Sequence, residues 1–226
     1  MGMKRLTALL LALVMALSLS ACTRNDTKKL AGTWTYSADV TEQMNEAVRD
    51  ALELDEVSPD ASVSVYLTFT VDRDGSYTLA LDEERLEADR AAYLEALRPV
   101  LVQAIYAQAE ADGYTKEQYD RALESLGMTA AEAAEAILGA LDLDTFLMLL
   151  RGGYGDSIIS SGYCKAEDGR LYFSGSESFD GADFAAYVLS GDTMSWTDEG
   201  GAVTALLSET EQGLVRFPME WTREKQ

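Results

Sequence analysis

Strict alternation of apolar and polar residues marks one stretch of the chain as a hairpin. In residues 62–71, SVSVYLTFTV, every second side chain is apolar, and the apolar set resumes in residues 76–82, SYTLALD. The four residues between them, DRDG, are typical of a tight turn. Because side chains point to alternate faces of a strand, this pattern predicts two antiparallel strands with one buried and one exposed face.

Further segments carry strand signals, and most of them are joined by tight turns. Residues 32–40 predict a first strand, followed by a short amphipathic helix at about 41–54. Residues 163–175 and 184–198 each predict a hairpin, since an Asp-Gly or Gly-Asp pair separates two alternating runs. Residues 214–223 predict a closing strand. Hairpin following hairpin is an antiparallel meander of about eight strands, the number at which a barrel interior just fills with side chains or holds one small ligand.

Between the predicted third and fourth strands, residues 83–152 change to a composition rich in alanine, leucine and glutamate. Apolar residues recur there at helical spacing, and Pro99 predicts a kink or a break in the first helix. Thr115 and Thr129 each head a capping box, which predicts two further helix starts. A last helix is expected at about 142–151, before a glycine pair. We therefore predict an α+β fold, in which a helical subdomain is inserted into an antiparallel barrel or half-barrel.

The first 22 residues have the order of a bacterial lipoprotein signal peptide. A short basic segment, Lys4-Arg5, precedes an apolar run over 6–19, and small residues lead to Cys22. The segment resembles such signal peptides, which implies that Cys22 is acylated and holds the protein on the extracytoplasmic face of the cell membrane. An ordinary secretory signal cleaved near Ala21 is the alternative. The expected organisation is 1–21 signal peptide, 22–31 acylated N-terminus and tether, 32–82 first strands with a short helix, 83–152 helical insertion, and 153–226 remaining hairpins and closing strand.

An excess of acidic residues limits the partners of the chain. It has 39 acidic against 18 basic residues, a formal net charge of −21, and no histidine. Such a charge excludes binding to nucleic-acid phosphates, and it either keeps the protein soluble or attracts cationic partners. The lack of histidine removes Ser-His-Asp and Cys-His catalysis as well as histidine-ligated zinc. We expect no enzyme activity, no cofactor and no metal site.

Several short motifs resemble the lipocalin-like domains of bacterial lipoproteins. They are LAGTW at 30–34, SGY at 161–163, LSGDTM at 189–194 and WTR at 221–223. The resemblance implies an antiparallel barrel in which Trp34 plugs one end and Arg223 covers the tryptophan ring through a cation–π contact. The helical insertion departs from the lipocalin pattern, so both a closed and a half-open barrel are compatible with the sequence.

Two binding hypotheses follow from the predicted barrel. In the first, a small apolar ligand lies in the lumen. The helical insertion then supplies either a lid over the lumen or part of its filling. In the second, side chains fill the lumen, and the acidic exterior captures cationic proteins or peptides at the cell envelope. Cys164 is expected to be a small buried hydrophobe in either case. The ligand-lining residues predicted from alternation include Phe69, Tyr77, Leu171, Phe173, Tyr187, Met194, Trp196 and Phe217.

Overall fold

The alternating segments form the strands of one closed antiparallel barrel. The computed structural model describes residues 25–141, 158–207, 212 and 215–225. Each strand pairs with the next along the chain, and the last strand pairs with the first. This confirms the predicted α+β fold and gives the barrel in its closed form. The strands are β1 (Gly32–Asp39), β2 (Ser64–Val71), β3 (Ser76–Leu81), β4 (Ile158–Glu167), β5 (Arg170–Ser174), β6 (Phe184–Ser190), β7 (Thr193–Gly200) and β8 (Met219–Arg223).

The strand register places one face of every strand inside the barrel. Trp34 of β1 lies opposite Phe69 of β2, and Phe69 lies opposite Leu79 of β3. Buried and partly exposed residues alternate along β2, as the sequence pattern predicts. The register shifts between β3 and β4, just after Leu79. Side chains from all eight strands thus meet in one hydrophobic core.

The closing strand is shorter than alternation predicts. β8 begins at Met219, although the predicted strand started at residue 214. Pro218 precedes β8, and proline has no N–H group for a strand ladder, so pairing begins only after it. Phe217 lies before the strand, with 45% of its surface exposed. The prediction that Phe217 lines the lumen is therefore wrong.

Helices occupy several of the connections between strands. Pro99 lies inside α3 (Glu83–Ala111), which runs unbroken for 29 residues, so the predicted break is absent. Both predicted capping boxes, at Thr115 and Thr129, are confirmed by reciprocal side-chain and backbone hydrogen bonds. The predicted helix at 142–151 lies outside the described residues.

None of the described helices combines the length and hydrophobicity needed to cross a bilayer. The helix bounds are α1 (Thr27–Leu30), α2 (Thr41–Leu52), α3 (Glu83–Ala111), α4 (Lys116–Ser125), α5 (Ala130–Ala140) and α6 (Ala202–Leu206).

The connections give the barrel two unlike ends. Tight turns link β2 to β3, β4 to β5 and β6 to β7, and α1 packs beside these turns; we call this the turn end. The connections with α2, with α3 to α5 and with α6 lie at the opposite end, which we call the helix end. α3, α4 and α5 together form the helical arm, residues 83–141. The antiparallel meander therefore separates the N-terminal segment from the helical arm.

Candidate functional site

A cluster of aromatic rings occupies the lumen of the barrel. The ring centroid of Phe69 lies 4.9 Å from that of Trp196, 5.9 Å from that of Trp221 and 6.1 Å from that of Phe173. Tyr77 extends the cluster, with its centroid 5.3 Å from Phe173. Rings at these distances are in direct contact, and tilted or edge-on pairs add attraction beyond the burial of their area. The predicted lining side chains therefore pack against one another.

Alternation locates the interior residues with one exception. Phe217 is exposed, whereas the other predicted lining residues are buried. Trp221 also joins the interior, although it was not predicted to line the lumen. It shares the inward face of β8 with Met219, so the alternation of residues 219–223 was signal enough to find it. The buried predicted residues are Phe69, Tyr77, Leu171, Phe173, Tyr187, Met194 and Trp196.

Trp34 and Arg223 close the turn end of the barrel. The Trp34 side chain is fully buried, and its indole N–H donates a 2.7 Å hydrogen bond to the carbonyl of Leu30. The guanidinium carbon of Arg223 lies 4.4 Å from the centroid of the Trp34 ring. Arg223 also donates hydrogen bonds to the carbonyls of Lys29 and Ala31. The pair therefore holds α1 over this end of the lumen.

Tyr187 reaches the same end from inside the barrel. Its hydroxyl donates a 3.3 Å hydrogen bond to the buried carboxylate of Asp26. Asp26 also accepts a 2.5 Å hydrogen bond from the ammonium of Lys29, and its own backbone N–H donates to the carbonyl of Ala166. Tyr187 therefore ties the N-terminal segment to the barrel, which is a structural role.

Packing of α2 and α3 closes the helix end. The hydroxyl of Tyr93 in α3 donates a buried 2.8 Å hydrogen bond to the side-chain oxygen of Asn45 in α2. Burial raises the pKa of Tyr93 to about 12. The carboxylate of Asp89 accepts hydrogen bonds from the Ser64 backbone and the Tyr66 hydroxyl, both at 3.0 Å. These bonds fix the base of the helical arm against β2.

Two buried indole groups give the aromatic cluster polar atoms that lack a partner within the part of the chain that the structure describes. The rings of Trp196 and Trp221 lie with their centroids 4.6 Å apart, and both side chains are fully buried. Neither indole N–H meets a hydrogen-bond acceptor among the described residues. A buried donor without a partner costs about 1–3 kcal/mol. An acceptor oxygen that reached these groups would recover part of that cost.

Cys164 and the acidic residues are candidate sources of reactivity or metal binding in the described part of the chain, and Cys164 lies in the interior. Cys164 is buried, and desolvation raises the pKa of its thiol to about 12, so the nucleophilic thiolate is disfavoured at neutral pH. No group of three His, Cys, Asp or Glu residues within the described ranges is arranged to hold a metal ion. Cys22, the predicted lipid attachment residue, lies outside the described residues.

A second aromatic site lies at the tip of the helical arm, where α3 ends and α4 begins. The chain turns at Gly113, whose φ of +88° is a conformation that favours glycine. Tyr114 follows it with 53% of its surface exposed. A cleft of about 430 Å³ opens here, and we call it the tip cleft. Its lining residues are Tyr106, Glu110, Gly113, Tyr114, Thr115 and Lys116.

The tip cleft already binds one positive charge from its own chain. The ammonium of Lys116 lies 4.1 Å from the centroid of the Tyr106 ring and donates to the Tyr106 hydroxyl at 2.8 Å. It also donates to the Asp120 carboxylate at 2.8 Å. This bond raises the pKa of Lys116 and lowers the pKa of Asp120. A ring face beside a carboxylate is a favourable environment for an ammonium or guanidinium group.

Acidic side chains and a helix C-terminus lie beside this cleft. Glu110 and Asp112 are both exposed at the end of α3. The last turn of α3 contains no basic residue, so no side-chain cation there offsets the partial negative charge of the helix C-terminus. The site was not predicted from the sequence, although DGYTKEQY at 112–119 carried a signal in its paired tyrosines and acidic residues.

Searches against protein-family models, curated proteins and solved structures give no match for this chain. The closed eight-stranded antiparallel barrel with added helices is compatible with a lipocalin-like fold.

Proposed function

We propose that this protein is a lipid-anchored, extracytoplasmic binding protein without enzyme activity, and that it captures cationic peptides or proteins at the tip cleft. The position of Lys116 carries the proposal, because its ammonium lies against the Tyr106 ring and the Asp120 carboxylate. Tyr114 offers a second and more exposed ring in the same cleft. A lysine or arginine of the partner would bind the Tyr114 face as Lys116 binds the Tyr106 face.

The packing of the barrel supports a binding site on the exterior. Phe69, Phe173, Trp196 and Trp221 contact one another across the lumen. A ligand placed there would have to separate rings that already bury their area against each other, and it would lose the attraction between them. The tip cleft is open to solvent and requires no such rearrangement.

The charge of the whole chain supports the same class of partner. A formal net charge of −21 creates a field that attracts cations over distances of about a Debye length, roughly 8 Å at physiological salt. Such a field raises the association rate of cationic partners, and Tyr114 with Glu110 supplies the local contact. Long-range attraction and a shaped site together distinguish capture from nonspecific adsorption.

A titration with a cationic peptide tests the proposal. Fluorescently labelled nona-arginine is titrated with the protein at about 50 mM and at about 300 mM NaCl, and binding is followed by fluorescence anisotropy. We expect saturable binding that weakens steeply at the higher salt concentration, whereas labelled nona-glutamate should not bind. Absence of saturable nona-arginine binding at low salt would contradict the proposal.

Charge-matched variants separate the tip cleft from the overall charge. Tyr114→Ala removes the exposed ring and should weaken binding about two- to fivefold, the range for an exposed cation–π contact. Glu110→Gln/Asp112→Asn should also weaken binding. The control Asp55→Asn/Glu56→Gln removes the same charge from exposed positions between α2 and β2. Equal weakening by both double variants would show that net charge alone acts, and the tip cleft would lose its role.

A small ligand in the lumen is a second candidate, favoured by the buried indole N–H groups of Trp196 and Trp221. Such a ligand would carry an acceptor oxygen on an apolar body. Native mass spectrometry of the protein purified from its own host would detect it as added mass. Loss of that mass in Trp196→Phe, which keeps a ring but removes the N–H donor, would support the carrier function. A bare mass in the wild type would exclude a tightly bound ligand.

The lipid anchor has its own test. Cys22→Ala removes the proposed acylation site, and this variant should be released from membranes during fractionation. Wild-type protein should remain in the membrane fraction after a high-salt wash. Continued membrane attachment of Cys22→Ala would contradict acylation at this residue.

A further inference from the structure

The turn end carries a large cleft that neither the lumen nor the tip cleft explains. It has a volume of about 910 Å³ and opens where β1 begins and β8 ends. Exposed basic side chains line it, among them Lys28, Arg73 and Lys225. In the described part of the chain, none of these three forms an ion pair. We call this opening the base cleft.

The base cleft is nearly neutral in a strongly acidic protein. Its lining contains four basic residues against three acidic ones, whereas the chain as a whole has a net charge of −21. The excess of negative charge therefore lies elsewhere on the molecule, including the tip of the helical arm. An anionic surface therefore repels the base cleft less than it repels the acidic parts of the chain.

The N-terminal segment is fixed at the same end. Asn25 forms a β-bridge with Glu167, which precedes the turn between β4 and β5. Thr27 accepts a 2.9 Å hydrogen bond from the backbone N–H of Ala166. Only three residue steps separate Asn25 from Cys22, and an extended chain covers at most about 11 Å in three steps. An acyl chain on Cys22 would therefore hold the turn end against the bilayer.

From this juxtaposition we infer that the turn end faces the membrane and that the base cleft binds phosphate-bearing lipid headgroups through Lys28, Arg73 and Lys225. This inference rests on the acylation of Cys22 that the proposed function includes. α3 leaves from the opposite end of the barrel and is 29 residues, or about 44 Å, long. The anchored protein thus holds the base cleft at the headgroups, and the helical arm leaves from the end away from the membrane.

Hydrogen–deuterium exchange on vesicles tests this orientation. The full acylated protein is reconstituted into phosphatidylglycerol vesicles and, for comparison, into vesicles of digalactosyldiacylglycerol, which has no phosphate. Flotation of each sample first establishes that the protein is anchored. Amide exchange in residues 70–76 and 223–225 should then slow on phosphatidylglycerol only, because each basic residue in contact with the anionic surface favours the shielded orientation by about fivefold. Exchange in residues 110–116, at the arm tip, should stay unchanged.

Matched variants and a free-phosphate control complete the test. Lys28→Gln/Arg73→Gln/Lys225→Gln should still float but lose the protection. Arg85→Gln/Arg98→Gln/Arg121→Gln, with the same charge change on the arm outside the tip cleft, should keep it. Protection by inorganic phosphate alone, in detergent without vesicles, would overturn the assignment to headgroups. Flotation without protection at the turn end would overturn this inference and leave the anchor intact. Failure to float would overturn both the anchor and this inference.

Discussion

The aromatic rings in the barrel lumen lie against one another, whereas Tyr106 and Tyr114 at the tip of the helical arm lie beside a charged group and solvent. Phe69 and Trp196 are fully buried, with their ring centroids 4.9 Å apart. At the tip, Tyr106 faces the ammonium of Lys116, and Tyr114 is 53% exposed. The same residue class thus stabilises the fold in one region and is free to contact a partner in the other.

This difference assigns stability and binding to separate parts of the chain. The barrel rings bury nearly all of their area, so substitutions there should change the free energy of unfolding. Tyr114 at the tip stays half exposed, so its substitution should change binding while stability stays nearly constant. Two substitutions and one change of pH test this division, beginning with the largest expected effect.

Removing the Trp34 ring should have the largest effect on stability. Trp34→Ala should lower the free energy of unfolding by about 3–5 kcal/mol, because it leaves a cavity beneath Arg223 and removes the hydrogen bond to Leu30. Urea denaturation measures the change. Tyr114→Ala, at the arm tip, is the control and should lie within about 0.5 kcal/mol of wild type. Similar losses for the two variants would show that stability is not confined to the barrel.

Removal of a single hydroxyl at the junction between the barrel and the helical arm should lower the free energy of unfolding. Tyr93→Phe removes the donor to Asn45 and leaves a buried amide oxygen without that bond. We expect a loss of about 1–3 kcal/mol in the free energy of unfolding, measured in urea. Tyr114→Phe removes an exposed hydroxyl and serves as the control. If both variants match wild type, the Tyr93–Asn45 bond does not stabilise the packing of α2 against α3.

Alkaline pH should weaken the barrel through Cys164. Burial raises the pKa of this thiol from 9.0 to about 12, so the folded state holds the proton more tightly than the unfolded state. The stabilisation is complete below pH 9 and is lost as pH rises from 9 toward 12. At pH 10 the loss should be about 1 kcal/mol relative to pH 8, measured by urea denaturation.

Cys164→Ala is the matched control for this pH dependence, since it has no thiol to ionise. Its stability should change less between pH 8 and pH 10 than that of the wild type. The same pH dependence in both proteins would assign the effect to other groups, such as Tyr93, whose pKa is also raised.

The barrel could be predicted from sequence because its signal is local. Alternation in residues 62–82 gives both the strands and the buried face, and the capping boxes at Thr115 and Thr129 give two helix starts. The closing strand was harder, because Pro218 ends the ladder inside an apparently continuous pattern. For this reason alone, Phe217 was wrongly predicted to line the lumen.

The tip cleft could not be predicted from local pattern, because it depends on how two helices meet. Tyr106 ends up against Lys116 and Asp120 only because Gly113 reverses the chain between α3 and α4. The spacing of apolar residues and the helix propensity predict each helix separately, but they do not give the angle at which two helices pack. The contact of Arg223 with Trp34 joins strands at the two ends of the chain, and it was expected only from the lipocalin resemblance.

The three tryptophan indole groups offer the most direct test of where binding occurs. Each indole N–H gives its own cross-peak in a ¹H–¹⁵N correlation spectrum, and Trp196 and Trp221 report from the lumen while Trp34 reports from the turn end. We would record these spectra while adding nona-arginine to the protein. Binding at the tip cleft predicts shifts in the backbone amides of Gly113 and Tyr114, with all three indole peaks unmoved. Shifts of the Trp196 and Trp221 peaks, with the tip amides unchanged, would place binding in the lumen and contradict capture at the tip cleft.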